Sequence, residues 1–187
     1  MTDAAFQAMS VEEYLRSEET SPYKREYVAG FVYPLHAHAG VSEPHSLIAM
    51  NIAGTLFPHA RRQGCRVHAG EMRLQVKDAL FYPDVMLLCG ERGDGRYYVT
   101  DPCLLVEVLS PSTAANDRVG KYAMYTSLPT LQTYLIVEQA ERRVYEYQRE
   151  GDKWRLREVA GDGEVSVPCL DVRLTLEDIY GGVIERG

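Results

Sequence analysis

Residues 104–125 read LLVEVLSPSTAANDRVGKYAMY, and the fold turns on how this stretch is understood. It begins as a near-continuous apolar run, the pattern of a strand covered on both faces. One carboxylate, Glu107, stands in the middle of that run. An unpaired buried carboxylate costs several kcal/mol, on the order of the net stability of a domain. Something must compensate it. After the run, Ser110-Pro111-Ser112 opens a helical pattern, TAANDRVGKYAMYTSL, which Pro129 closes.

Working outward, two further strand candidates precede the run, CRVHAGEMRLQV and FYPDVMLLC. The turn-rich GERGDGRYYVTDP separates the second from Cys103. Upstream, EPHSLIAMNIAGTLFPHARRQG has helical apolar spacing at Leu47, Ile48, Ile52 and Leu56. YKREYVAGFVYPL reads as two short strands joined at Ala29-Gly30. MSVEEYLRSEE reads as a first helix, with Ser10 as N-cap and Glu13 three residues on. Downstream, LQTYLIVE, RRVYEYQRE and WRLREVA read as a strand and a hairpin, and LTLEDIY as a short last helix. The order predicts an α/β (α+β) chain, a single domain over residues 1–187 with helices packed on a sheet.

The chain has 187 residues, 45% hydrophobic and 25% charged, enough for one domain with a real core. Its formal net charge of -7 shows no general basic footprint for nucleic acid, though it is silent on a local basic cleft. No stretch is apolar enough to span a bilayer, and MTDAAFQAMS lacks the charged and apolar regions of a secretion signal, so the cytoplasm is expected. Cys65, Cys89, Cys103 and Cys169 contain no Cys-x-x-Cys pair, which argues against a zinc ribbon. Buried reduced thiols are expected.

Asp84 follows Pro83 at the opening of an apolar strand and shares a face with Tyr82, Met86 and Leu88 by the two-residue period. In the next strand Glu107 shares a face with Leu105 and Leu109. If the two strands pair, both acids converge. Convergent carboxylates repel unless a cation or proton lies between them. Mg²⁺ takes oxygen ligands, one or two carboxylates plus water, and stabilises charge on a phosphoryl group. Lys121, Tyr125 and Leu128 form one helical stripe with an apolar end, so Lys121 is expected to point from the sheet-facing side toward the acids.

YPDVMLL, LLVEVLSPST and DRVGKYAMY, with KREYVAGFV and PHSLI upstream, resemble the Uma-two family of endonuclease-like proteins in the PD-(D/E)xK nuclease superfamily. The likeness runs from about Met9 to about Arg149. It implies a restriction-endonuclease-like core, a mixed central β-sheet flanked by helices, here with an additional N-terminal helix and β-hairpins. It also implies a metal-dependent DNA endonuclease using Mg²⁺ or Mn²⁺; cutting a duplex needs two such sites, so a homodimer is expected. On that resemblance Asp84 and Glu107 are the metal-binding acids. The superfamily's strand lysine falls at Leu109, and the resemblance transfers its role to Lys121. Glu26 and His45 match further family positions.

Each feature has a plainer reading. Glu107 could be neutralised by a buried arginine such as Arg73. Lys121 could pair with Asp117, four residues earlier, for a few tenths of a kcal/mol. Glu26 lies in the charged string KRE, usually a solvated face. His36, His38 and His45 match no standard metal spacing. The arginines and tyrosines of RRVYEYQREGDKWRLREV could touch nucleic acid, but a sheet face or dimer contact explains them as well. The rival to an enzyme is a non-catalytic binding or interaction module that retains the nuclease scaffold.

Overall fold

The computed structural model describes residues 8–35, 41–91, 93, 96–110 and 120–185. Its centre is a six-stranded mixed sheet. The strands in spatial order are β11 (Lys153–Ala160), β10 (Arg143–Glu150), β9 (Thr133–Val137), β8 (Leu104–Val108), β6 (Val85–Leu88) and β3 (Arg66–Ala69). Only β8 and β9 run parallel. The five residues of β8 are all buried, as are those of β9, which explains their near-continuous apolar character.

A second, five-stranded sheet has the order β2 (Phe31–Pro34), β1 (Arg25–Val28), β5 (Ala79–Phe81), β4 (Arg73–Val76) and β7 (Tyr98–Val99). Two expected strands are therefore each divided between the sheets. CRVHAGEMRLQV breaks at Gly70, whose φ of +65° suits glycine, into β3 and β4. FYPDVMLLC breaks around Tyr82-Pro83-Asp84 into β5 and β6. A small ribbon of β12 (Glu164–Val167) and β13 (Val172–Thr175) completes the β structure and escaped the sequence reading.

The first helix, α1 (Val11–Glu18), carries the anticipated capping box between Ser10 and Glu13. The long α2 (Glu43–Arg62) starts at Ser42, whose hydroxyl accepts from the His45 amide. It buries Ile48, Ile52, Leu56 and Ala60. Of the helix expected after Ser112, the described part is a π turn at 120–121 running into α3 (Tyr122–Tyr125). Its beginning, Asp117 included, lies outside the described residues, as do His36 and His38. A last short helix, α4 (Leu176–Tyr180), forms where LTLEDIY placed it.

Two cores flank the six-stranded sheet. On one face Val85, Leu87, Leu104, Val106 and Leu135 pack with α2, α4 and the ribbon. On the other, Met86, Leu88, Leu105, Leu109 and Ile136 meet Leu74, Val76 and Phe81 of the smaller sheet, with Tyr125 and Leu128 behind α3. A third cluster, Tyr14, Tyr27 and Leu80, seats α1 on the smaller sheet. β6, β8 and β9 alternate between these cores, so the middle of the sheet is apolar on both sides. Among the described residues no helix is long and apolar enough to cross a membrane.

Candidate metal-dependent active site

Glu107 lies on β8, a central strand, and is only 3% exposed. Its Oε1 accepts from the Lys121 ammonium at 3.1 Å and from the Tyr125 hydroxyl at 2.7 Å. The opening puzzle is thus answered within the chain: a lysine and a phenol reach the carboxylate from the start and end of one helical turn. Arg73 does not. Its guanidinium donates to the Tyr82 hydroxyl at 2.6 Å and pairs with Glu18 at 3.6 Å.

Lys121 also meets Glu26 Oε1 at 3.0 Å. Glu26 is 5% exposed on β1, not on a solvated face, and accepts from the Tyr82 amide at 3.3 Å. The ammonium therefore bridges an acid of the smaller sheet and an acid of the larger one. Such a buried ion triad holds only when every member is partnered; removing one costs about 3–5 kcal/mol.

Asp84 occupies the bend just before β6. Val85 pairs with Val106, so continuing the antiparallel register by one residue sets Asp84 across from Glu107. Asp84 Oδ2 accepts from the Val108 amide at 2.7 Å, which fixes it beside the end of β8. His45, in the first turn of α2, brings Nε2 to 3.2 Å from the same oxygen. The five residues singled out in the sequence thus form two linked groups at one end of the central strands: Glu26–Lys121–Glu107 and His45–Asp84. Leu109, the position of the superfamily lysine, is a core residue at 3% exposure. The ammonium that reaches Glu107 is that of Lys121, from the following helix.

A cleft of about 230 Å³ opens here, lined by Glu26, Val28, Tyr33, Phe81, Gly120, Lys121 and Met124. Tyr125 was legible only as a member of the Lys121 stripe, and its bond to Glu107 went unanticipated. Burial, then the charge of Glu107, pushes its hydroxyl well above the usual tyrosine range, so it stays a proton donor.

The donor chemistry fits a hard divalent cation. Asp84 and Glu107 offer carboxylate oxygens from adjoining strands, and Mg²⁺ typically takes one or two carboxylates and fills its shell with water and phosphate. Among the described residues, the three-ligand group whose donor atoms all lie within 4.8 Å of one another is made of cysteines, not of these acids.

The fold is restriction-endonuclease-like. A solved structure from Anabaena variabilis, described as a "putative nuclease belonging to DUF820", matches with a TM-score of 0.73 at 16% identity, over 94% of this chain and 99% of that one. The chain belongs to the Uma2 family, described as "Putative restriction endonuclease", which matches residues 11–177. Two Synechocystis sp. proteins are similar along nearly their whole length. One, slr1290, is 32% identical over 96% of this chain and 95% of its own; the other, sll1609, is 33% identical over 87% and 93%.

Proposed function

We propose that this chain is a Mg²⁺- or Mn²⁺-dependent endonuclease that hydrolyses phosphodiester bonds in DNA. The observation that supports this most is the approach of Asp84 and Glu107 from paired strand ends, with the Lys121 ammonium 3.1 Å from Glu107. A divalent ion held there supplies Lewis acidity toward a phosphoryl oxygen and lowers the pKa of a bound water. Asp84 and Glu107 are the residues that hold it. Asp84 is kept in place by the Val108 amide and His45. Lys121, at the cleft wall, places a fixed positive charge where negative charge develops on the phosphate, in a site shielded from bulk water. Glu26 anchors Lys121. The whole chain acts as one domain, in the cytoplasm, and as a homodimer, because cutting both strands of a duplex needs two such sites.

The test is cleavage of supercoiled plasmid with Mg²⁺ or Mn²⁺. Asp84→Asn and Glu107→Gln each lower the rate by about 10²–10³-fold. Variants that cut as fast as the native chain exclude the assignment. A second reading is favoured by the net charge of -7 and by the loss of the strand lysine at Leu109: a binding module on a nuclease scaffold. That module would bind duplex or protein with no cleavage under any divalent ion.

A further inference from the structure

The four cysteines, separated by up to 104 residues of chain, converge at one corner of the central sheet. They correct the expectation of reduced, separate thiols: Cys65 is joined to Cys89, and Cys103 to Cys169. The topology makes the meeting unavoidable. Cys65 leads into β3 and Cys89 follows β6, and the pair Arg66↔Leu88 sets them across from one another. Cys103 leads into β8, and its amide donates to Leu87 at 2.8 Å. Cys169 arrives from outside the sheet, on the 3₁₀ turn Pro168–Leu170 that links β12 and β13. That turn is tied to the end of α2 by the Gln63 side chain, which donates to Leu170 O at 2.7 Å.

The two pairs are not independent. Cys89 and Cys103 sulfurs are 3.8 Å apart, and the sulfurs of Cys89, Cys103 and Cys169 all lie within 4.8 Å of one another. Four thiolates on a tetrahedral Zn²⁺, each about 2.3 Å from the metal, are about 3.8 Å apart. Cys65 and Cys103 are buried, so two of the four are held by the core, while Cys89 is exposed and offers a path of entry. The Arg66 guanidinium donates to Gly90 O at 3.1 Å, one residue after Cys89.

We propose that in the reduced chain these four sulfurs hold one Zn²⁺, and that oxidation to the two disulfides releases it. Reduction of both disulfides takes four electrons from two equivalents of a dithiol, or of a phosphine that becomes its oxide, with four protons from the dithiol or from water, and yields four thiols. Zn²⁺ then displaces the four thiol protons without changing its own oxidation state. In the reverse direction a thiol oxidant such as diamide removes two electrons for each disulfide formed, and Zn²⁺ leaves. The site lies at the opposite end of β6 and β8 from Asp84 and Glu107 and uses a different class of ligand. It ties β3, β6 and β8 to the β12–β13 ribbon.

The test uses the full chain, stripped of metal under a phosphine reductant and titrated with Co²⁺, then Zn²⁺. The expected result is one thiolate-bound Co²⁺ per chain, counted by the saturation of a thiolate-to-cobalt charge-transfer band that carboxylate ligands do not give. Zn²⁺ then displaces the cobalt. Chain oxidised with diamide gives no such band, and diamide added to the zinc form frees one Zn²⁺. Cys103→Ser and Cys169→Ser each weaken binding about 100-fold, one ligand's share of a four-thiolate site. Asp84→Asn leaves the band unchanged. A reduced native chain without the charge-transfer band, or one whose charge-transfer band survives oxidation, overturns the proposal even if the serine variants fail to fold.

Discussion

At the residue scale, Lys121 decides the character of the site. Its ammonium lies 3.0 Å from Glu26 and 3.1 Å from Glu107, and it is 3% exposed. Lys121→Met leaves two buried carboxylates without the cation between them. The variant is expected to lose about 3–5 kcal/mol of stability by urea unfolding. Tyr125→Phe is milder. It removes the hydroxyl that donates to Glu107 at 2.7 Å and is expected to cost about 1–3 kcal/mol. A stability equal to the native chain in both variants would show that these contacts do not hold the triad together. Glu107 itself was legible because a charge inside LLVEVL contradicts its neighbours. The identity of its partners was not, since Glu26 is 81 residues away in sequence and sits in an ordinary charged string.

At the element scale, short turns place the chemistry. Ala29 and Gly30, with φ of 47° and 94°, close the β1–β2 hairpin that carries Glu26. A two-residue loop with both φ values positive matches the twist of the strands it joins. A Cβ at Gly30 would meet the Ala8 Cβ at 2.6 Å and the positive φ would be strained as well. Gly30→Ala is therefore expected to destabilise by about 1–3 kcal/mol, measured by thermal unfolding. No loss would mean that the hairpin adapts freely. The hairpin was readable from Ala-Gly between apolar runs. The division of CRVHAGEMRLQV and FYPDVMLLC between two sheets was not, because local alternation is the same whether a strand continues or turns into a neighbouring sheet. The last hairpin shows the same limit. Its Glu146, 1% exposed, is bound by Arg157 at 2.7 Å and by the Ser166 amide at 2.6 Å, across to a ribbon the sequence did not announce. Arg149 is likewise spoken for, donating to Leu128 O at 2.6 Å and stacking on Trp154. These contacts account for Arg149, Arg157 and Trp154 of that hairpin.

At the scale of the whole molecule, burial of phenols sets the alkaline limit. Desolvation is the leading cause that raises the pKa of Tyr14, Tyr82, Tyr125 and Tyr180 above the ordinary 10. In the unfolded chain these hydroxyls lose their protons near pH 10, whereas in the folded chain they keep them. Their contribution is thus complete below about pH 10 and falls as pH rises toward the folded values. Of the thirteen tyrosines, these four are expected to show their tyrosinate absorbance together with loss of circular dichroism, not before it. Smooth ionisation of all thirteen in an intact fold would refute that. The layered plan, two sheets with helices on the outer face of the larger, follows from strands that are apolar on both sides.

The central claim is that Asp84 and Glu107, from paired strand ends, share one hard divalent cation. Calorimetric titration of Mn²⁺ into the full chain tests it most directly, because Mn²⁺ prefers carboxylate oxygen to sulfur. The account predicts one Mn²⁺ per chain, with binding abolished by Asp84→Asn and by Glu107→Gln alike. Mn²⁺ binding that persists unchanged in both variants, or that is absent from the native chain in the presence of duplex DNA, contradicts it.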